Sequence, residues 1–178
     1  PILKQFRAVK THKQFEALLP KLAPKGVGAL FGGFVGQDDK NPDAYIFQIF
    51  QGGTGLPDRD MYLVDNPKFE EIRTAYKSYL AKMLTHAGEK NAEARANAIF
   101  ETEKKIADVQ WTREESSDAT KVYNKLTLGE LDALAPQIGM SAMLKKISPK
   151  IGDVLVAQPS AVAATAKIFA ETDIGVFK

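Results

Sequence analysis

Cysteine is absent from the 178 residues of this chain, histidine occurs twice and tryptophan once. Without cysteine there is no disulfide, no thiolate zinc site and no cysteine nucleophile, although the compartment stays open. The histidines are poorly placed for a metal. His12 is followed by Lys13, Gln14, Phe15 and Glu16, so no second histidine lies one helical turn away. His86 falls at the C-terminal end of a predicted helix, where the dipole favours a cation. The pair alone cannot make a three-ligand zinc site, and both are expected at the surface. An excess of one charge is also lacking. The formal net charge is +2 and the lysines are scattered, which argues against nucleic acid or an acidic membrane surface as partner. No apolar run is long enough to cross a bilayer, and no signal peptide opens the chain.

What is present suits a globular domain or a large part of one: 44% hydrophobic and 26% charged residues. The chain opens at Pro1 without an initiator methionine and stops at GVFK without a polar tail. The expectation is therefore a piece of something longer.

Apolar spacing predicts one or two short helices over residues 2–22, closed by Pro20 and Pro24. Two apolar, aromatic-rich runs, Ala29 to Val35 and Tyr45 to Phe50, flank the turn-forming cluster DDKNPD, predicting a β-hairpin over 29–51. Asn66 as N-cap and Pro67 at the first helical position start a helix with a stripe of Phe69, Ile72, Tyr76, Tyr79, Leu80 and Met83, ended by Gly88. A second helix, with Ala92, Ala96, Ile99, Phe100, Ile106 and Val109 on its buried side, is expected to run past Trp111 and to pack antiparallel to the first. In TLGE, Thr127 and Glu130 form a capping box, with Leu126 and Leu131 as a hydrophobic staple, for a short helix to about Ala135. A further helix is expected over 141–147, an extended segment over 153–157 and a helix opening at Pro159.

Glycine-rich stretches invite a phosphate reading, which fails. GVGALF, from Gly26 to Phe31, lacks the sixth-position glycine of a dinucleotide fingerprint, and QGGTGLPD lacks the Gly-Lys-Ser/Thr ending of a phosphate loop. Asp39, Asn41 and Asp43 alternate like calcium ligands, but Ala44 and Phe50 stand where glycine and a bidentate glutamate are needed. Glu114, Glu115 and Asp118 near Arg113 read as a solvated, salt-bridged face rather than an acid/base pair. Trp111 and the Tyr76–Tyr79 pair read as core or interface residues. No serine nucleophile elbow is present. Residue chemistry alone gives no catalytic and no metal residues.

One stretch is too particular for an ordinary turn: QGGTGLPDRDMYL, Gln51 to Leu63. It closely resembles a signature of the neprilysin and endothelin-converting-enzyme family of zinc metallopeptidases. Gln51, Gly52, Gly53, Gly55, Leu56, Pro57, Arg59, Asp60, Tyr62 and Leu63 match, whereas Thr54 and Met61 replace the usual leucine and tyrosine. The likeness continues in order through Asp39-Lys40, through WTREESSDATKVYNKLTLGEL (Trp111 to Leu131) and through QPSAVAATAKIFAETDIGVFK.

The resemblance implies a mainly α fold: the N-terminal helical lid lobe of a two-lobed metallopeptidase, with one small β-hairpin. Residues 1–178 would form a single partial domain lacking the catalytic zinc lobe. In the family that other lobe carries His-Glu-x-x-His and a later glutamate around zinc, and none of those residues occurs here. The implied parent is a zinc metalloendopeptidase acting on oligopeptides outside the cytoplasm, extracellular or periplasmic. The implied partners are its own catalytic lobe and oligopeptide substrates, with membrane attachment open. This chain by itself is expected to be inactive and without cofactor. The signature is expected to be an architectural elbow, in which Leu56 and Tyr62 anchor the core while Asp58, Arg59 and Asp60 bond backbone or one another. Arg59 is its candidate substrate-cleft residue. The alternative is a stand-alone, non-enzymatic binding module on the same lobe; a small hydrolase in its own right has no nucleophile or metal set.

Overall fold

The computed structural model describes residues 2–178. Helices dominate. The chain begins with α1 (Ile2–Ala8) and α2 (His12–Leu22), the latter capped by the Thr11 hydroxyl, and continues through a 3₁₀ turn at Ala23–Lys25. Pro20 does not close α2 as expected. It lies buried in its last turn, where it removes one hydrogen bond, while burial of Leu18 and Leu22 on the same helix carries the turn through. Pro24 does stand at a terminus, at the start of the 3₁₀ turn.

The hairpin is β1 (Phe31–Asp38) and β2 (Asn41–Gln51), with Asp39-Lys40 as its two-residue turn. The strands thus extend into the DDKNPD cluster. Gln37 opposes Tyr45 but Asp38 opposes Asn41, so residues 42–44 bulge out. That bulge accommodates Pro42, which has no N–H for the ladder. The glycines of β1 have a steric reason: a Cβ at Gly32 would overlap the Phe50 ring at 1.9 Å, and one at Gly33 would meet the Phe47 ring at 2.8 Å. The Phe50 and Phe47 rings of β2 thus lie over two glycines that have no side chains to resist them.

Past the signature come α3 (Asp60–Leu63), α4 (Pro67–His86), α5 (Ala92–Val109) and α6 (Arg113–Ser116). The Asn66 side chain caps α4 by accepting from the Lys68 N–H. Tyr76 lies opposite Glu103, and Lys77 lies over the Phe100 ring, so α4 and α5 run antiparallel. The α4 stripe is only partly covered, because Tyr79 and Met83 are exposed. Helix α5 stops at Val109 rather than passing Trp111: Gln110 is extended, and a second capping box, Thr112 with Glu115, starts α6.

The two-residue strand β3 (Lys125–Leu126) precedes α7 (Leu128–Leu134), whose capping box is the expected Thr127–Glu130 pair. Then follow α8 (Met140–Ile147), β4 (Val154–Val156), α9 (Pro159–Glu171) and α10 (Ile174–Phe177). The hairpin is therefore half of a four-stranded mixed sheet in the order β1-β2-β4-β3, with β4 parallel to β2 and antiparallel to β3. A large apolar cluster joins the sheet to α2, α7, α8 and α9 through Phe15, Ile49, Leu131, Leu144, Val156 and Phe169. A smaller one, Leu56, Tyr62, Phe100 and Ala107, lies under the signature loop.

Candidate functional site

The signature loop leaves the sheet at Gln51 and is fastened at once. The Gln51 side chain brackets the backbone of Trp111, accepting from its N–H at 2.8 Å and donating to its carbonyl at 3.1 Å. The Gln51 N–H donates to Gln158 Oε1 at 3.0 Å, and Gln110 Nε2 donates to the Gly52 carbonyl at 3.1 Å. Two glycines are required for separate reasons. Gly53 has φ +85°, a left-handed conformation that side chains disfavour. At Gly55 a Cβ would sit 1.9 Å from the Tyr76 hydroxyl. Leu56 then turns into the small cluster, and Pro57 leads the chain towards α3.

The acidic-basic triplet bonds locally. Asp58 Oδ1 accepts from the Asp60 N–H at 3.0 Å, and Oδ2 accepts from Arg113 at 3.1 Å. Arg59 donates through Nε to the Ala107 carbonyl at 3.2 Å and lies 3.5 Å from Asp60.

The hub is the Tyr62 hydroxyl, on a side chain with no exposed surface. It accepts from the N–H groups of Gly55 at 3.1 Å and Leu56 at 2.8 Å and donates to Glu103 Oε2 at 2.8 Å. Tyr76 donates to the other oxygen, Oε1, at 3.0 Å. Burial pushes the Glu103 carboxyl above its usual range, against the opposing pull of the tyrosine hydroxyls. Burial also raises both phenols well above the ordinary tyrosine value, so they remain donors. With both carboxylate oxygens engaged, Glu103 is a fastening, not an open base. Beneath it, Arg73 donates to the carbonyls of Tyr62 and Val64, closing the end of α3 onto α4.

Glu103 and Arg73 escaped the sequence reading, yet a signal existed. Glu103 interrupts the apolar face of α5 between Phe100 and Ile106, and Arg73 lies within the α4 stripe between Phe69 and Tyr76. A charge on a buried face is the informative exception. Asp38, at 1% exposure, was also missed. It accepts from Tyr123 at 2.8 Å, Lys125 at 3.2 Å and the Lys40 N–H at 3.0 Å, and the Tyr123 hydrogen bond leads in holding its carboxyl below the usual range.

The remaining candidates are dispersed. His12 is not a free surface residue: its Nε2 lies 2.9 Å from the Thr172 carbonyl and its ring meets Phe169 edge-on at 4.8 Å. His86 is exposed at the end of α4. Asp39 belongs to the hairpin turn, with Asn41 and Asp43 on β2. Glu115 caps α6 and Asp118 caps the turn at Thr120, so the carboxylates beside Arg113 serve local structure. Trp111 donates through its indole N–H to Ser160 at 2.7 Å. Among the described residues no three histidine, aspartate or glutamate side chains come together as a metal-ligand group.

A family model described as Peptidase family M13 matches residues 1–178. Endothelin-converting enzyme-like 1 of Rattus norvegicus is 32% identical over 121 residues, 67% of this chain and 16% of that protein. The endothelin-converting enzyme homolog of Locusta migratoria is 32% identical over 127 residues, 70% of this chain and 17% of that protein. The chain thus spans about a sixth of the length of these curated relatives. In fold it is similar to the zinc metalloprotease ZMP1 of Mycobacterium tuberculosis in complex with inhibitor, with a TM-score of 0.90 at 23% identity over 98% of this chain and 27% of that one.

Proposed function

The chain belongs to peptidase family M13, and we propose that it forms part of the substrate-covering helical lobe of a zinc metalloendopeptidase that hydrolyses peptide bonds in oligopeptides. The observation that carries this reading is the match of the whole chain to the family model, together with the fold it shares with 27% of a zinc metalloprotease. In this reading the remainder of the parent protein supplies the zinc ligands and the water-activating glutamate, and the parent works outside the cytoplasm.

The contribution of this chain is steric and positional. The signature loop acts as an elbow that sets the angle between the sheet and the α4–α5 pair, through Gln51, the Tyr62 hydroxyl and Glu103. Within that elbow Arg59 is the residue we assign to the substrate side, because its Nη2 makes no hydrogen bond among the described residues. The chain alone is inactive.

The test has two parts. The intact natural polypeptide is weighed, and a product several-fold heavier than 19.5 kDa is expected. Peptide cleavage is then assayed with and without a zinc chelator: the parent should cleave and lose activity with the chelator, whereas this chain should not cleave. A natural product near 19.5 kDa would leave a non-enzymatic binding module in place of the peptidase.

A further inference from the structure

A cavity of about 200 Å³ lies where the signature loop and α5 meet the two short helices α1 and α10. Gly53, Glu103 and Ile106 line it from the loop and α5, and Phe6, Val176 and Phe177 line it from α1 and α10. Among the described residues none in α1 or α10 is buried, so solvent lies on the far side of both. The two helices are the outer wall of the cavity.

Little in their own sequences holds them there. They are 7 and 4 residues long, and isolated helices so short are unstable in water. Their apolar grip on the large cluster comes from partly buried side chains, chiefly the rings of Phe6, 6.1 Å from Phe15, and Phe177, 5.0 Å from Phe169. Elements with few buried contacts are the ones that open locally at low cost.

A polar clasp spans both helices. Glu89, in the link between α4 and α5, accepts from Arg7 Nε of α1 at 3.1 Å through Oε1 and from Arg95 Nη1 of α5 through Oε2. Arg95 Nη2 donates to the main-chain oxygens of Gly175, at 3.1 Å, and of Lys178. Arg7 also donates to the Ala87 carbonyl, and Lys178 Nζ donates to the Val9 carbonyl at 3.3 Å. One carboxylate thus secures α1 directly and α10 through Arg95. Isolated surface ion pairs contribute little, but the Glu89 and Arg95 side chains are only 24% exposed and belong to a network of several charges.

We propose that α1 and α10 form a lid, shut by the Arg7–Glu89–Arg95 clasp, whose opening admits water to Glu103 and loosens the signature loop. Glu103 accepts from the Tyr62 hydroxyl at 2.8 Å, and that hydroxyl accepts from the N–H groups of Gly55 and Leu56. Solvent arriving at the carboxylate therefore competes for the bond that fastens the loop. Clasp and loop then bias one two-state element, and what shifts it from one end is felt at the other. The lid depends on the fastening by Tyr62 and Glu103 and not on peptidase activity, so each can fail alone.

Millisecond hydrogen exchange, read by mass spectrometry on the 178-residue chain, tests the lid. Glu89→Gln should speed exchange about fivefold in residues 2–9 and 174–178 together and about twofold in 53–57, leaving 154–156 unchanged. Glu93→Gln removes the same charge from the first turn of α5 without touching the clasp, and should change none of these segments. About 0.5 M sodium chloride should reproduce the Glu89→Gln pattern in the wild-type chain and add nothing in the variant. Coupling is read from a second substitution. Tyr62 and Glu89 have no hydrogen-bond partner in common among the described residues, and sites that share no partner are ordinarily additive. Tyr62→Phe should nevertheless speed exchange in 53–57 less in the Glu89→Gln background, where water already reaches the groups it strands. Equal effects in the two backgrounds overturn the proposal. So does faster exchange in only one of the two helices, or no change in them with salt. A rise spread evenly through the molecule, 154–156 included, also overturns it and leaves the clasp as general stabilisation.

Discussion

The two apolar clusters of this molecule are held in different ways. The sheet cluster is built from area: Phe15, Leu22, Val154, Val156 and Phe169 are essentially sealed from solvent, and the Phe15, Phe169 and Phe177 rings pack with centroids 5.0–5.9 Å apart. The cluster beneath the signature loop has four buried members, and one of them, Tyr62, carries a hydroxyl with three hydrogen-bond partners. Its position is fixed by polar geometry, through Glu103, Tyr76 and the carbonyls held by Arg73. Apolar area stabilises without direction, whereas a buried hydrogen-bond network, here complete but for the buried Arg73 Nε, specifies one arrangement. The elbow we propose, which would set an angle, needs the second kind of support.

The largest expected effect lies in the area-built cluster. Phe169→Ala would remove a fully buried ring that touches Phe15, Phe177 and His12. It should destabilise the chain by about 3–5 kcal/mol, through lost transfer energy and the cavity left behind. Urea unfolding checks this, and a loss below about 1 kcal/mol would mean that the cluster collapses around the gap.

The sharper comparison removes a single small group from each cluster. Tyr62→Phe deletes one oxygen and strands the Gly55 and Leu56 N–H groups and a Glu103 oxygen, which should cost about 1–3 kcal/mol. Ile49→Val deletes one methyl from the sheet cluster and should cost about 0.5–1.5 kcal/mol. The tyrosine variant should also raise amide exchange in residues 53–57, which the isoleucine variant should not. If the methyl proves dearer than the hydroxyl, the contrast between the clusters is wrong.

Much of the framework is readable from the sequence, because its signals are local. The Asn66-Pro67 start, the Thr127–Glu130 box and the helix opening at Pro159 each depend on residues within a turn of one another. Thr112–Glu115 is the same kind of box and was equally legible, but the strong apolar spacing of the preceding helix masked it. Strand β3 is two residues long and exists only because β4 lies beside it, so no periodicity could reveal it. Family resemblance draws attention to the loop, but its mechanics depend on partners distant in sequence: Glu103 is 41 residues from Tyr62 and 27 from Tyr76. Arg73 bonds carbonyls, which every residue has, so its partners leave no trace in side-chain identity.

Two sets of carboxyls, Glu103 beneath the loop and those that cap turns and helices, should respond to pH with opposite signs. Glu103 has a carboxyl raised above its ordinary value of 4.5 by burial, so the folded state holds that proton more tightly than the unfolded one. Its contribution to stability is fully present below 4.5 and is lost as pH rises through the folded value. Asp38, Glu115, Asp118 and Glu130 are lowered, chiefly by hydrogen bonds from Tyr123, the Thr112 N–H, the Thr120 hydroxyl and the Thr127 N–H respectively. Their contributions are present above the ordinary carboxylate values and are lost as pH falls. Glu103→Gln should therefore gain on the wild-type chain as pH climbs from 4.5 and then hold a constant difference. A difference that stays flat between pH 4 and 8 would remove Glu103 from the account of the elbow.

The smallest effect on stability is expected at Arg59, and it carries the most information about function. Its guanidinium is bound by one main-chain carbonyl and one weak ion pair, with a side chain 21% exposed. Arg59→Gln should cost at most about 1 kcal/mol, because the lost hydrogen bond is partly replaced by solvent. Asp60 is mostly exposed and should tolerate the change. A residue that only pins the loop to Ala107 would leave the parent's kinetics almost untouched after so mild a loss. A residue that reaches substrate would raise KM several-fold for peptides with an acidic group, with kcat preserved, since uniform binding is what such a change removes. The substrate-side assignment requires the second result, together with an unfolding midpoint near that of the wild-type chain. Unchanged KM with a lowered midpoint would return Arg59 to the elbow, beside Tyr62 and Gln51, as part of what holds the loop in place.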